Sequence, residues 1–394
     1  MLGVFAVLTA AVVVSDCRVQ PFGVMLGEGG SYRVMDFASH RGFACAVWSG
    51  DIPRAGEGSI YRVDAHLRAT ARWTGLAAPI ALPFGYSPTM LLLLGPLCLV
   101  SARVAFLLWS FAGAAAIAWF TLGRRVHWAA LLPLVSPLAV GSIALGQTAI
   151  LSTAALLFLM LGAGTGPVST AAAAVVLWML TAKPPLVLTA GAALLVTGRW
   201  RVVAAAAVIT LVSTVAIRPW LGPGWTADYL SLLTNYDQVR LPPAFAWSIS
   251  PGLMSNLRAA LRSDLGMSDD LAVELSTGVW LATLAALVVG LRTRRAETPV
   301  VWSLFILAFL LFCPHLSATE DVALFCVLVA LWALRLPTLV VFAASAMVAV
   351  GTVLSPAAGP LAGVRPSLLF LVKLVLGVGI LGAVLRGPRL ATRG

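Results

Sequence analysis

Residues 31–51 read SYRVMDFASHRGFACAVWSGD, residues 60–75 read IYRVDAHLRATARWTG, and residues 82–97 read LPFGYSPTMLLLLGPL. Together they make a charged, aromatic stretch of mixed polarity, set between hydrophobic runs. Outward from it the chain turns apolar, as in AAAAVVLWML at 171–180. The 394 residues are 60% hydrophobic and 10% charged, with a mean hydropathy of +0.97. A soluble globular protein carries about 25% charged residues. A chain this poor in charge cannot coat a water-facing surface, so the class is an all-α polytopic membrane protein. A β-barrel needs alternating polar and apolar residues, and these runs do not alternate.

The net charge is +11, from 26 Lys and Arg against 15 Asp and Glu. The arginines sit mostly in short loops, at Arg124-Arg125, Arg199/Arg201, Arg292/Arg294/Arg295 and Arg386/Arg389/Arg393. That is the mark of cytoplasmic loops rather than of a nucleic-acid surface, and no nucleic-acid partner is expected. Only Lys183 and Lys373 are lysines. Six acids lie between Asp16 and Asp64, six between Asp228 and Glu274, and the rest are Glu297, Glu320 and Asp321. Five cysteines, Cys17, Cys45, Cys98, Cys313 and Cys326, show no CxxC and no ligand spacing, so no metal site is indicated. Cys17 and Cys45 either pair in an oxidising compartment or stay free.

At about 20 residues per helical span, the apolar runs read as about 12 spans. They fall at 2–14, 85–101, 103–121, 127–143, 147–163, 168–197, 200–217, 275–292, 299–312, 321–335, 337–355 and 366–386. The first follows a bare Met with neither a basic n-region nor a small-residue cleavage signature, and reads as a span rather than a cleaved signal. The 168–197 run is overlong and broken at Lys183-Pro184-Pro185; it is counted as one kinked helix. The loops 16–82 and 218–274 then fall outside, and the arginines near 200 and 293, with both termini, fall inside. Arg124-Arg125 lands outside, against the charge rule. Within the first loop, 37–48 and 61–73 read as amphipathic helices suited to the membrane surface. No internal repeat is evident, and 1–394 reads as a single transmembrane domain.

Several residues stand out as candidates for chemistry. Asp36 directly precedes the 37–48 helix, where it serves as an N-cap or as a general base for a hydroxyl nucleophile. Tyr86, in Phe84-Gly85-Tyr86-Ser87-Pro88, sits in an interfacial aromatic belt. Gln147 is an amide between apolar runs that must find a partner, on a substrate or on a neighbouring helix. Lys183 either meets a lipid phosphate within the membrane or marks the end of a span; the prolines after it free backbone carbonyls, which is tolerated beside a cavity. The turn CPHLSATED at 313–321 concentrates His315, Glu320 and Asp321. His315 suits a phosphate or a leaving group, and the two acids suit its orientation or sugar hydroxyls.

These stations, taken in order, resemble the polyprenyl-phosphate-mannose-dependent mannosyltransferases of the GT-C glycosyltransferase superfamily. The similarity is strongest to the actinobacterial phosphatidylinositol-mannoside α-1,2-mannosyltransferases and their bacterial relatives. It is carried by Asp36-Phe37, Trp48-Ser49-Gly50 and Tyr61, FGYSPTMLLLLGPL, GQTAILSTAALLF at 146–158, KPPLVLTAGAALLVTGRWR at 183–201, and CPHLSATED, over about residues 20–335. The late turn, with Ala318-Thr319-Glu320-Asp321, departs from the actinobacterial form.

The resemblance implies a GT-C-like bundle in the bacterial inner membrane, with its active site on the periplasmic side. It implies transfer of a hexose, mannose in the relatives, from a polyprenyl-phosphate-linked sugar donor to a lipid or glycan acceptor, with inversion and no cofactor. Asp36 is then the base. His315, with Lys183, Arg41 or Arg62, meets the phosphate charge. A transporter or flippase is the competing class, served by Lys183, Gln147 and a Pro-broken helix; a non-enzymatic partner of envelope assembly is a third.

Overall fold

In hydrocarbon a chain satisfies its backbone N–H and C=O groups within its own segment, and these apolar runs accordingly become helices. The computed structural model describes residues 19–20, 24–26, 32–34, 36–52, 58–62, 64–66, 68–69, 84–123, 139, 142–143, 146–162, 166–234, 256–294, 297–314, 318–353 and 366–385. The expected spans at 2–14 and over most of 127–143 lie outside them.

The fold is not wholly helical. Three short strands, β1 (Val19–Gln20), β2 (Val24–Leu26) and β3 (Tyr32–Val34), form an antiparallel sheet with Val24 opposite Gln20 and Val34. Then come α1 (Asp36–Trp48), α2 (Thr89–Leu94, continued by a 3-10 turn Gly95–Leu99), α3 (Ala102–Gly123) and α4 (Thr148–Leu157, continued by a π turn Phe158–Gly162). The middle of the chain holds α5 (Pro167–Leu180), α6 (Pro184–Val196), α7 (Trp200–Leu221), α8 (Trp225–Thr234) and α9 (Leu257–Leu265). The last part holds α10 (Asp269–Arg294), α11 (Thr298–Phe312), a 3-10 turn Ala318–Ala323, α12 (Leu324–Ala333), α13 (Pro337–Val353) and α14 (Pro366–Leu385).

Among the described residues, three helical stretches are long and apolar enough to cross a bilayer: Val104–Thr121 in α3, Trp200–Leu221 in α7 and Asp269–Thr293 in α10. The other apolar helices are shorter, so the structure does not confirm 12 spans. Helices α11 and α12 are apolar on every side and buried nearly throughout. Helix α7 turns Val208, Leu211, Val212 and Val215 outward, each more than 60% exposed, as a lipid-facing helix does.

Two stretches run differently from the expectation. The 85–101 run does not cross. Its two helical pieces total 11 residues and lie along α1. Arg41 Nε donates to Leu97 O (3.1 Å) and Nη2 to Val100 O (2.8 Å), while Trp48 Nε1 donates to Leu91 O (3.0 Å). Cys45 forms a disulfide with Cys98, at a Cα–Cα distance of 5.5 Å. The expected alternative of a Cys17–Cys45 bond is thereby overturned.

The 168–197 run is a hairpin rather than one kinked helix. Arg199 Nη1, after α6, donates to Leu159 O, ahead of α5, at 3.1 Å. One continuous helix would part those ends by about 45 Å. The eight residues from Leu159 to Pro167 reach at most about 29 Å, so the chain must fold back. The tip bonds elsewhere: Ser87 N–H donates to Ala182 O (3.1 Å) and Ser87 Oγ to Thr181 O (2.7 Å). Trp178 Nε1 donates to Ser213 Oγ at 2.9 Å, so α5 and α7 run side by side in the same direction.

The bundle thus has a loop end, with α1, α2 and the α5–α6 tip, and an arginine end, with Arg199. Helix α3 runs to the arginine end, where Phe120 packs on Phe158 at 5.4 Å. The 85–101 run thus stays at the loop end, and the 168–197 run travels to that end and back. Arg124-Arg125 lie outside the described residues, but the helix leading to them finishes at the arginine end.

The loop end has its own apolar core, built from Phe37, Phe43, Val47, Ile60, Tyr61, Phe84, Leu94, Ile217, Leu221 and Tyr229. Helix α1 is buried nearly all round, not amphipathic as expected. Its polar residues are accommodated because Arg41 finds backbone carbonyls inside. The two long loops meet here: Ile60 N–H donates to Leu221 O (3.0 Å) and Ser59 Oγ to Asp228 Oδ2 (2.6 Å), and Tyr61 packs on Tyr229 (4.7 Å).

The larger core is closed by an ion pair. Lys373 of α14 reaches Asp321 Oδ1 at 2.8 Å and donates to Leu310 O at 2.9 Å, and both charged side chains are 0% exposed. Removing one partner strands the other charge, at a cost of about 3–5 kcal/mol. Lys373→Ala is therefore expected to lower the melting temperature sharply in detergent, while Lys373→Met combined with Asp321→Leu recovers most of the loss. A single variant that melts like wild type contradicts the assignment.

Candidate active site

The polar residues of the loop end converge where α1 and α2 meet the tip of the α5–α6 hairpin. Pro184 holds Lys183 in extended backbone, φ −119° and ψ 98°, as a residue before proline requires. Pro184 and Pro185 then fill the first turn of α6, where no N–H is missed. Lys183 is thus set at the tip. Its ammonium pairs with Glu320 of the 318–323 turn and lies 5.6 Å from the centre of the Tyr86 ring.

Tyr86 is the hub of the next layer. Its hydroxyl shares a hydrogen bond with Thr148 Oγ1 at 3.4 Å, and its backbone carbonyl accepts from Tyr61 OH at 3.1 Å. Gln147 is the N-cap of α4, half-buried, with its N–H bonded to Ser142 O at 2.8 Å. Gly146 before it has φ +63°, a left-handed conformation that favours glycine, and its carbonyl accepts from Trp109 Nε1 at 2.8 Å. Phe37 lies directly on Gly146: a Cβ there would sit 2.5 Å from the Phe37 Cβ.

Two histidines complete the cluster. His40 stands edge-on to Tyr86 at 4.7 Å and to Phe84 at 5.8 Å. His66 packs against Phe43 at 4.5 Å, and its Nδ1 accepts from the Phe84 N–H at 3.4 Å. Burial pushes both imidazoles down to a pKa of about 3, and the Lys183 ammonium acts in the same direction on His40. Both are neutral at physiological pH.

The structure brings Tyr86, Gln147, Lys183 and Glu320 together. Asp321, next to Glu320, turns away to Lys373. Arg41 is occupied by the Leu97 and Val100 carbonyls. Arg62 lies at the surface, paired with Asp64 Oδ1 at 3.2 Å. Neither arginine is brought to the Lys183 cluster. Asp36 is the first residue of α1, but its side chain lies outside the described residues, as does His315 altogether. The backbone just before His315 is anchored: Asn256 Nδ2 donates to Cys313 O (2.8 Å) and Arg258 Nη1 to Pro314 O (3.2 Å). Arg258 is itself paired with Asp269 at 2.7 Å.

Sequence reasoning missed His40, His66 and Lys373. The chain has four histidines and two lysines, so scarcity alone marked each of them as a group needing a partner.

A helical membrane bundle with a buried polar cluster at one end defines an integral membrane protein with a site at its edge. The family model for glycosyltransferase family 87 matches residues 84–314. That is more than half of the chain, which therefore belongs to this family of GT-C-type membrane glycosyltransferases. The match includes Tyr86, Gln147 and Lys183; it begins after Asp36 and stops one residue before His315. No curated protein and no solved structure matches the chain.

Two outcomes follow from this geometry. Gly146→Ala combines a strained backbone with a clash against Phe37, so α1 must shift; transfer activity is expected to fall at least tenfold while the protein remains extractable and folded. Wild-type turnover in that variant contradicts the docking of α1. The two histidines have folded pKa values below the ordinary 6.5, so the unfolded chain takes up their protons first. Their stabilisation is complete above about pH 6.5 and declines as pH falls toward 3. The melting temperature is expected to drop between pH 7 and pH 4.5, and a flat profile would show that the imidazoles are not held neutral.

Proposed function

We propose that the protein transfers a hexose, mannose in the first instance, from a polyprenyl-phosphate donor to a hydroxyl of a lipid or glycan acceptor, with inversion. The coarse activity, membrane glycosyl transfer, follows from the family. The donor, the acceptor and the residue roles are our reading.

The observation that carries it is the docking of α1. Phe37, next to Asp36, lies on Gly146, beside the cluster of Tyr86, Thr148, Lys183 and Glu320. The helix headed by the one candidate base is thus fixed over the one cationic tip at that end of the bundle. Asp36 takes the proton of the acceptor hydroxyl. The acceptor oxygen bonds to the anomeric carbon on the face opposite the phosphate. The bond from that carbon to the phosphate oxygen breaks, and polyprenyl phosphate leaves with the electron pair. His315 and Lys183 meet its growing charge; the other two basic residues once considered, Arg41 and Arg62, have other partners. One well-placed donor in such a site is worth roughly 3–4 kcal/mol of barrier.

The arginines also support an orientation. Arg199 and Arg201 lie at the end opposite the cluster, and Arg292 lies near the far end of α10, whose first residue Asp269 is held beside Pro314. By the positive-inside rule that far end faces the cytoplasm. The cluster then opens to the periplasmic face of a bacterial inner membrane.

Purified protein incubated with labelled polyprenyl-phosphate sugars, across mannose, arabinose and glucose, is expected to move label to a lipid acceptor from the mannose donor above the others. Asp36→Ala is expected to abolish that transfer with an unchanged elution profile and melting temperature. Full activity in Asp36→Ala removes the base assignment, and equal use of all three donors removes the sugar.

A further inference from the structure

Among the buried polar groups that the chemistry proposed above leaves unused, His40 is the one whose ring lies against Tyr86. His40 is 8% exposed, and its Nδ1 has no hydrogen-bond partner among the described residues. Burying a ring nitrogen without a partner costs stability, and phenylalanine would fill the same aromatic niche without that cost. His66 differs in position, since it packs on Phe43 and accepts from the Phe84 N–H rather than facing Tyr86.

The position is also specific. His40 falls four residues after Asp36 on α1, about one helical turn further along. Its ring meets the edge of Tyr86, which carries Lys183 over its face. The titratable groups acting on it come from two elements, the Lys183 ammonium at the start of α6 and the neutral His66 of the 58–69 segment. A neutral imidazole offers one donor and one acceptor and no charge. That suits an alcohol hydroxyl, which is itself both donor and acceptor, better than a phosphate, which calls for a cation.

We propose that His40 is a substrate-binding residue whose Nδ1 hydrogen-bonds a saccharide or alcohol hydroxyl held beside Asp36, with the Tyr86 ring as the adjoining wall. The proposal rests on the glycosyltransferase reading above and adds a contact to it. The hydroxyl belongs to the sugar in transit or to the acceptor, and kinetics distinguish the two.

The test compares His40→Phe, which keeps the ring and its aromatic contacts but removes the nitrogen, with His40→Asn, which places an amide near Nδ1. Without substrate, His40→Phe is expected to melt at or above the wild-type temperature. With labelled polyprenyl-phosphate mannose and acceptor it is expected to lose tenfold or more in kcat/KM, and His40→Asn to recover part of that loss. A raised KM for the donor assigns the hydroxyl to the transferred sugar; a raised KM for the acceptor assigns it there. If His40→Phe transfers at the wild-type rate while Asp36→Ala is inactive, this contact is refuted and the enzyme reading stands. If both His40 variants melt many degrees below wild type, the residue is structural and the proposal is overturned. If wild-type protein transfers no sugar, the underlying reading fails and this proposal falls with it.

Discussion

Two adjacent carboxylates, Glu320 and Asp321, hold both lysines of a 394-residue chain. In a body this apolar an unpaired charge is very costly, so each lysine has a narrow choice of where to rest. The acids sit on a 3-10 turn, where successive side chains point in different directions. One therefore faces the tip of the α5–α6 hairpin and the other faces α14. A six-residue turn thus ties the hairpin to the last helix of the bundle. The hairpin tip in turn binds Ser87 and Thr89 through Thr181, which seats α2, and α2 carries α1 through Arg41 and the Cys45–Cys98 bond. The helix that begins with Asp36 is located by this chain of contacts, not by its own sequence.

That dependence explains what could be read in the sequence and what could not. Composition was enough for the class, because a low charge content admits few other solutions. Tyr86, Lys183 and Glu320 were singled out for rarity or setting, and they do meet, with Gln147 next to Thr148, the partner of Tyr86. Direction was not legible. Hydropathy measures how apolar a run is, not which way it travels, so thirty apolar residues read equally well as one long helix or two short ones. The prolines after Lys183 marked the turn between α5 and α6. The 85–101 run misled for a related reason. It is apolar enough for lipid, but it buries itself against α1. Arg41 was taken for a phosphate ligand because nothing in the sequence shows two carbonyls, sixty residues away, waiting for its guanidinium.

With 168–197 folded back and 85–101 kept at the loop end, α3 ends at the same end as Arg199. The contacts of Ser59 with Asp228 and of Ile60 with Leu221 show that the two long loops share one core.

The depth of the cluster bears on its chemistry. Helices α5 and α7 start together, and Trp178 near the end of α5 meets Ser213, yet α7 continues for eight residues to Leu221. Helix α5 itself runs only two residues past Trp178, so at 1.5 Å per residue α7 extends about 9 Å beyond the end of α5. The 58–61 segment closes over that step, bonded to Leu221 on one side and, through Tyr61, to the Tyr86 carbonyl on the other. Lys183 and Glu320 are therefore sunk beneath the end of the bundle rather than displayed on it. This supports the lipid-linked donor proposed above, because a water-borne nucleotide sugar would have to enter past the 58–61 segment. Reduced water at that depth strengthens each charge interaction and protects an activated sugar from hydrolysis. The recess that makes an unpaired lysine intolerable is thus also what favours the lipid-linked donor proposed above.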